Sequence, residues 1–168
     1  MPPADTLLAF YSRDSLAGRG KPIMRIAPGD AEITHRSCGR HFGTMEAAYR
    51  RSGGIASDGD VVLMLRQCSD QPLSRLARWI VARDVVSFKC HGTTWLPLFQ
   101  FDGAALSVLP TVTAVIQELA DVFDDWELAA WFALPNTWLR GRAPVDALAG
   151  YPSAVREAAR ADRFIARG

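Results

Sequence analysis

The chain has 168 residues, of which 49% are apolar, so one domain, or one domain with a small appendage, and a substantial core are expected. Its formal net charge of +1 excludes the strongly basic composition of a dedicated nucleic-acid-binding protein. No apolar run approaches the length of a membrane span and the first ten residues do not resemble a signal peptide, so we expect a cytoplasmic protein without membrane contact.

Residues 1–56 are rich in glycine, proline and arginine and predict an irregular N-terminal segment with a short helix, which Thr44 caps. Within this segment the spacing of His35, Cys38 and His41 offers three metal ligands. No second paired cluster follows, so an ordinary polar turn is the preferred interpretation, without metal or cofactor. The three cysteines are widely separated, which predicts reduced thiols and no disulfide framework.

Residues 57–102 predict a helix-turn-helix-like unit with a β-hairpin. Two helical patterns flank a turn that ends at Pro72, and the first is apolar on all sides, which is typical of a buried helix. The second helix is predicted to bury one face, formed by Leu73, Leu76, Ala77 and Ile80. Two β runs follow, and Pro97 would confine its strand to the edge of the sheet.

Three arginines of this unit are candidate DNA-binding residues, namely Arg75, Arg78 and Arg83. Guanidinium groups bind phosphates and base edges, and the hairpin would lie along the DNA backbone. Residues 52–100 carry five Lys/Arg against four Asp/Glu, so the local charge adds little support. A structural helix pair covered by a hairpin is therefore an open alternative.

Residues 103–168 predict a helical bundle with an aromatic ridge. One helical stripe runs through residues 110–123, and a further helix begins with a capping box at Asp124 and ends before Pro135. Three of the five tryptophans lie in or just after that helix. Most are expected to pack in the core, whereas Trp138, beyond the turn, is expected to be partly exposed and to act as a contact anchor.

The last predicted helix opens at Pro152 and carries a row of four arginines, Arg156, Arg160, Arg163 and Arg167. Their spacing places them on one stripe, and the opposite stripe holds Val155, Ala158, Ala159, Ile165 and Ala166. Small alanines let a helix lie close to its neighbour, so the arginine row would face outward or toward a partner. A solvated charged face is the alternative interpretation.

A set of residues at characteristic positions spans about residues 96–168. Residues 96–102 contribute Leu-Pro-Leu-Phe-Gln-Phe-Asp, and the helical part contributes Trp131, Pro135, Asn136, Leu139, Gly141, Pro144, Leu148, Val155, Ile165 and Gly168. This pattern resembles the toxin-binding domain of Xre/MbcA/ParS-type antitoxins. The resemblance implies a non-enzymatic protein that pairs with a RES-type toxin, an enzyme that consumes NAD, and covers the entrance to its active site.

The resemblance also implies roles for individual residues. Asn136 would shape the turn after the tryptophan-containing helix, and Arg163, Arg167 and Gly168 would belong to the blocking tail. Together with Trp138 and the rest of the arginine row, these are the expected toxin-binding residues. Members of the family are often homodimers that repress their own operon, but residues 1–56 do not match their usual DNA-binding half.

Two other functions are weighed against the antitoxin. The first is a DNA-binding transcriptional regulator that uses the helix-turn-helix-like unit on operator DNA and the C-terminal bundle for dimerisation. The second is an enzyme, for which the candidates are few. His35, His41 and His91 have no Ser, Cys or Asp partner at a recognised motif spacing, and no glycine-rich phosphate loop joins a strand to a helix. We therefore expect no catalytic activity.

Overall fold

The structure is a computed structural model that describes residues 41–103 and 105–168, all within one compact unit. Its helices are residues 41–49 (α1), Asp58–Leu65 (α2), Pro72–Val81 (α3), Pro110–Leu119 (α4), Asp125–Ala133 (α5), Pro144–Ala147 (α6) and Pro152–Arg167 (α7). Its strands are Ile55–Ser57 (β1), Phe88–Cys90 (β2) and Thr93–Pro97 (β3). Short 3-10 turns occupy Arg50–Ser52, Leu98–Gln100 and Thr137–Leu139. The prediction of a mainly helical fold with a small β-hairpin is confirmed.

The three strands form one antiparallel sheet in the order β1–β3–β2. The prediction that Pro97 confines its strand to an edge is wrong, because Ile55 of β1 pairs with Pro97 and makes β3 the central strand. Proline is accommodated as the last residue of β3, and the next residue, Leu98, donates its amide to Gly54 O at 2.9 Å. The predicted boundary between the N-terminal segment and the helix-turn-helix-like unit, at residues 56 and 57, falls inside β1.

The apolar core has two clusters. The smaller one joins α2, α3 and β3 through Val61, Leu65, Leu76 and Leu96. The larger one joins α1 and β2 to the helices of the C-terminal bundle. Within it Tyr49 of α1 donates its hydroxyl to Ala129 O of α5 at 2.6 Å, and its ring stacks on Phe99 at 5.6 Å. Helix α1 is therefore part of the core of the bundle. The expected cap at Thr44 is wrong, because residues 41–43 are already helical.

Helix α3 buries a different face from the predicted one. Leu76 is buried, and Ile80 and Trp79 are partly buried, but Leu73 is 68% exposed and Ala77 is also exposed. The reason is the indole of Trp79, which lies 5.8 Å from the ring of Phe101 and turns that side of the helix toward the core. The prediction that α2 is a buried helix is also wrong, because Leu63 on it is 56% exposed.

The helices of the C-terminal bundle begin where their sequence predicts, but α4 ends at Leu119 and not at residue 123. Asp124 accepts the amide of Glu127 at 2.7 Å, and the Glu127 carboxylate accepts the amide of Asp124 at 2.9 Å, which completes the capping box. Leu134 has extended backbone angles before Pro135 and ends α5. Helix α4 packs most extensively against α7. None of the helices in the described residues is both long and apolar enough to cross a membrane.

Candidate functional site

The turn that follows α5 is closed by Asn136. This side chain is 8% exposed, and its Oδ1 accepts the amide of Trp138 at 2.9 Å. The backbone of Asn136 donates to Arg142 O at 3.0 Å and accepts from the amide of Gly141 at 2.9 Å. Asn136 therefore shapes the turn and is too buried to present its side chain to a partner.

One carboxylate on α7 binds this turn to the bundle. Asp162 accepts three hydrogen bonds, from Trp131 Nε1 at 2.7 Å, Asn136 Nδ2 at 2.7 Å and Trp138 Nε1 at 2.9 Å. We call these four residues the Asp162 clasp. A buried indole N–H needs a hydrogen-bond acceptor. The sequence signal for this acceptor is a single aspartate, Asp162, one turn after Ala158 on the buried stripe of α7.

The clasp fixes an exposed aromatic ring. Trp138 is 56% exposed, which confirms that it is only partly covered. Because its indole N–H already donates to Asp162, the ring is held in one orientation and its free surface is apolar. Such a preorganised aromatic residue suits an interface anchor.

The arginine row of α7 pairs with two carboxylates of the same chain, Glu118 on α4 and Asp121 just after it. Arg156 Nε and Arg160 Nε lie 3.1 and 3.0 Å from Oε1 of Glu118, and Arg163 contacts both Glu118 and Asp121 at 3.3 Å. Arg167 also pairs with Asp121. The row therefore lies along α4 while its side chains stay 32 to 55% exposed. The sequence predicts a row that faces outward, toward a partner or toward solvent. None of these interpretations included ion pairs within the chain.

Glu118 is the centre of that network. Burial of its side chain, which is 13% exposed, would raise the carboxyl pKa. Hydrogen bonds from Arg160 and Arg156, and the charges of the same two residues, outweigh burial and lower the pKa below its usual 4.5. The carboxylate is consequently ionised at neutral pH and holds the arginine side chains in place.

The last turn of α7 exposes two large apolar side chains. Phe164 is 79% exposed and Ile165 is 64% exposed. The predicted buried stripe is correct for Val155, Ala158 and Ala159 but wrong for Ile165 and Ala166, because the helix extends beyond the elements that cover its earlier turns. Gly168 follows with a φ of 81°.

The predicted DNA-binding arginines divide into two kinds. Arg75 lies over the ring of Trp79 at 4.8 Å, and with Arg78 it lines an open groove of about 890 Å³. Arg83 instead donates to Ala120 O, to Phe123 O at 3.0 Å and to Asp125 at 3.1 Å. Its guanidinium is thus committed to the end of α4, and a phosphate contact would cost these bonds.

The described residues test only part of the predictions about metal ligands and cysteines. His35 and Cys38 lie outside the described residues, and within the described ranges no group of three His, Cys, Asp or Glu residues has metal-binding geometry. Cys68 is a free, exposed thiol. Cys90 is disulfide-bonded, so the expectation of reduced thiols throughout is wrong at this position.

The protein is mainly helical. Its C-terminal bundle exposes apolar and arginine side chains, and the Asp162 clasp holds the turn after α5. Comparison with family models finds no match, and comparisons with curated proteins and with solved structures find none either.

Proposed function

We propose that the chain is the antitoxin of a type II toxin–antitoxin pair, a cytoplasmic, non-enzymatic protein whose C-terminal bundle binds a RES-type, NAD-consuming toxin and covers its active-site entrance. The identity of the partner rests on the resemblance of residues 96–168. The structural observation that carries the proposal is the exposed end of α7, where Phe164 and Ile165 are uncovered and Arg167, three positions after Phe164, lies on the same side of the helix as Phe164. Exposed apolar residues rimmed by charge are typical of protein-binding surfaces.

The intramolecular ion pairs are compatible with toxin binding. A guanidinium group has five N–H donors, and Arg167 uses one of them on Asp121 while its side chain remains 55% exposed. A carboxylate at the rim of a toxin pocket can therefore join the network without displacing Asp121. Phe164 and Ile165 would supply the apolar part of the contact.

The test is inhibition of a RES-type toxin encoded beside this chain. We expect the purified chain to bind that toxin and to stop its NAD consumption. The double substitution Phe164→Asp and Ile165→Asp should raise the concentration needed for half-inhibition at least about tenfold, because two apolar contacts are lost. The matched control is Leu73→Asp, which changes an equally exposed leucine on α3 and should leave inhibition intact.

The test distinguishes the role of the end of α7 from the antitoxin function itself. Full inhibition by the double variant would remove the end of α7 from the mechanism. Failure of the unaltered chain to bind any RES-type neighbour would overturn the antitoxin function itself.

A second candidate is a DNA-binding regulator, favoured by the order of elements. Residues 41–97 run helix, strand, two helices and a hairpin, and the first strand pairs with the last in the order β1–β3–β2. This is the arrangement of a winged helix-turn-helix, in which the second helix of the pair, here α3, enters the major groove. Arg75 and Arg78 of α3 form no ion pair within the described residues. The C-terminal bundle would then serve as the dimerisation module.

Fluorescence anisotropy on the DNA upstream of the gene tests this candidate. Phosphate contacts predict that affinity falls steeply with salt. Arg78→Ala should weaken binding and reduce the salt slope by about one, whereas Arg156→Ala should change neither. Salt-independent or absent binding would exclude the regulator, and light scattering of the same samples would report whether the chain is a homodimer.

A further inference from the structure

A groove of about 350 Å³ includes Trp138 of the Asp162 clasp in its lining, which contains neither Phe164 nor Ile165. Trp138 and Tyr151 contribute aromatic lining, Arg140 and Arg142 contribute charge, and leucine and alanine side chains complete it. The volume is within the range of clefts that bind small ligands or single peptide side chains.

The aromatic residues of the groove are exposed, and a hydrogen bond to Asp162 holds one of them, Trp138, in place. Trp138 and Tyr151 are 56% and 57% exposed. The indole N–H of Trp138 is occupied by Asp162 at 2.9 Å, and the guanidinium of Arg142 lies 5.5 Å from the centre of the Tyr151 ring. Rigid aromatic rings bind an apolar side chain at little entropic cost, which is the usual behaviour of an interface hot spot.

The two arginines of the groove differ from the row on α7. All four arginines of that row pair with Glu118 or Asp121, whereas in the part of the chain that the structure describes neither Arg140 nor Arg142 forms an ion pair. Arg140 also has a left-handed backbone with a φ of 57°, a conformation that is unfavourable for a residue with a side chain. Backbone bonds between Asn136 and Arg142 hold this loop closed. Strain that is maintained by a rigid frame is common at binding loops.

We propose that this groove binds a short acidic peptide segment of another protein. An aliphatic or aromatic side chain of the segment enters between Trp138 and Tyr151, and its flanking carboxylates pair with Arg140 and Arg142. The inference goes beyond the antitoxin function, because it holds for any protein that carries such a segment. The groove has only two cationic lining residues, Arg140 and Arg142, which match a short segment with two carboxylates better than an extended phosphate chain.

The probe is a tetrapeptide of sequence Asp-Leu-Glu-Phe, acetylated and amidated at its ends, titrated into the ¹⁵N-labelled full chain. The neutral counterpart Asn-Leu-Gln-Phe is the ligand control. We expect saturable shifts of the Trp138 Nε1–H resonance and of the amides of residues 138–142. The acidic peptide should bind about tenfold more tightly than the neutral one, because each lost carboxylate–guanidinium pair removes a charge-assisted contact.

Substitutions then assign the contact. Arg140→Gln with Arg142→Gln should weaken the acidic peptide about tenfold and leave the neutral one unchanged, and Tyr151→Ala should weaken both. The matched control is Arg50→Gln with Arg51→Gln, an exposed pair remote in sequence that should have no effect. All of these side chains are exposed, so folding is not at risk.

Three results would overturn the proposal. They are equal affinity for the two peptides, shifts centred away from the groove, and the absence of any shift at millimolar peptide. Tighter binding of oligothymidine than of the acidic peptide, with shifts at the same residues, would reassign the groove to single-stranded nucleic acid.

Discussion

Trp131 and Asp162, 31 positions apart, are joined by a hydrogen bond of 2.7 Å from the indole Nε1 to the carboxylate Oδ2. The same carboxylate binds Asn136 and Trp138, so one side chain of α7 orients the turn after α5 and an exposed aromatic ring. The peptide groove depends on this arrangement, because the clasp orients Trp138, which lines the groove.

Replacing Asp162 tests the clasp directly. Asp162→Ala leaves three donors without an acceptor, including the indole of the buried Trp131, so the free energy of unfolding should fall by about 2–4 kcal/mol. Asp162→Asn keeps one acceptor oxygen and should lose less. Urea denaturation measures both, with Glu157→Ala on the same helix as the control. An Asp162→Ala variant as stable as the control would show that the clasp contributes nothing to folding.

The ion-pair network around Glu118 predicts a dependence on acid pH. Because the folded-state pKa lies below its usual 4.5, the stabilisation is fully present above pH 4.5 and is lost as the pH falls through the folded pKa. Glu118→Gln should lower the free energy of unfolding at pH 7 by about 1 kcal/mol, since the arginines are half-exposed. The variant should also lose less of its stability than the unaltered chain on going below pH 4.5.

Thermal unfolding between pH 3 and pH 7 measures this difference, with the exposed Glu46→Gln as control. Parallel pH profiles for the unaltered chain and the Glu118 variant would contradict the role of the network.

Tyr49 predicts the opposite dependence at high pH. Burial raises the pKa of its hydroxyl well above 10.0, so the folded state keeps the neutral form while the unfolded chain ionises. The contribution of Tyr49 to the free energy of unfolding is therefore complete below pH 10 and declines as the pH rises above 10. Tyr49→Phe should cost about 1 kcal/mol at pH 7, through loss of the bond to Ala129 O, and should flatten the decline above pH 10. Guanidinium unfolding at stepped pH checks this, and Tyr151→Phe, at an exposed site, should behave like the unaltered chain.

Gln100 predicts a large stability effect from a neutral side chain. It is fully buried, its Oε1 accepts the amide of Val86 at 2.6 Å, and its Nε2 donates to Val86 O at 2.9 Å and to Pro97 O at 2.8 Å. Gln100→Met keeps the volume but leaves backbone groups unpaired, so the free energy of unfolding should fall by about 2–4 kcal/mol. Gln117→Met, at an exposed position of α4, should change the urea midpoint only slightly. A Gln100 variant with the control's midpoint would refute this account.

Local sequence chemistry determined most helix positions. The capping box at Asp124, the stop at Pro135 and the prolines that open α6 and α7 act within a few residues, so their effects can be read without knowing the fold. The fold class and the partial exposure of Trp138 follow from the same local patterns.

Only the tertiary structure decided which groups meet. β1 is three residues long and lies inside a glycine-rich stretch, so no local pattern reveals that it places Pro97 in the central strand. The partners of the arginine row, of Arg83 and of Asp162 lie 24 to 46 positions away in sequence, and charge spacing along one helix does not specify a partner on another. Periodicity shows which side chains share a face, whereas the packing of neighbouring elements decides what that face contacts.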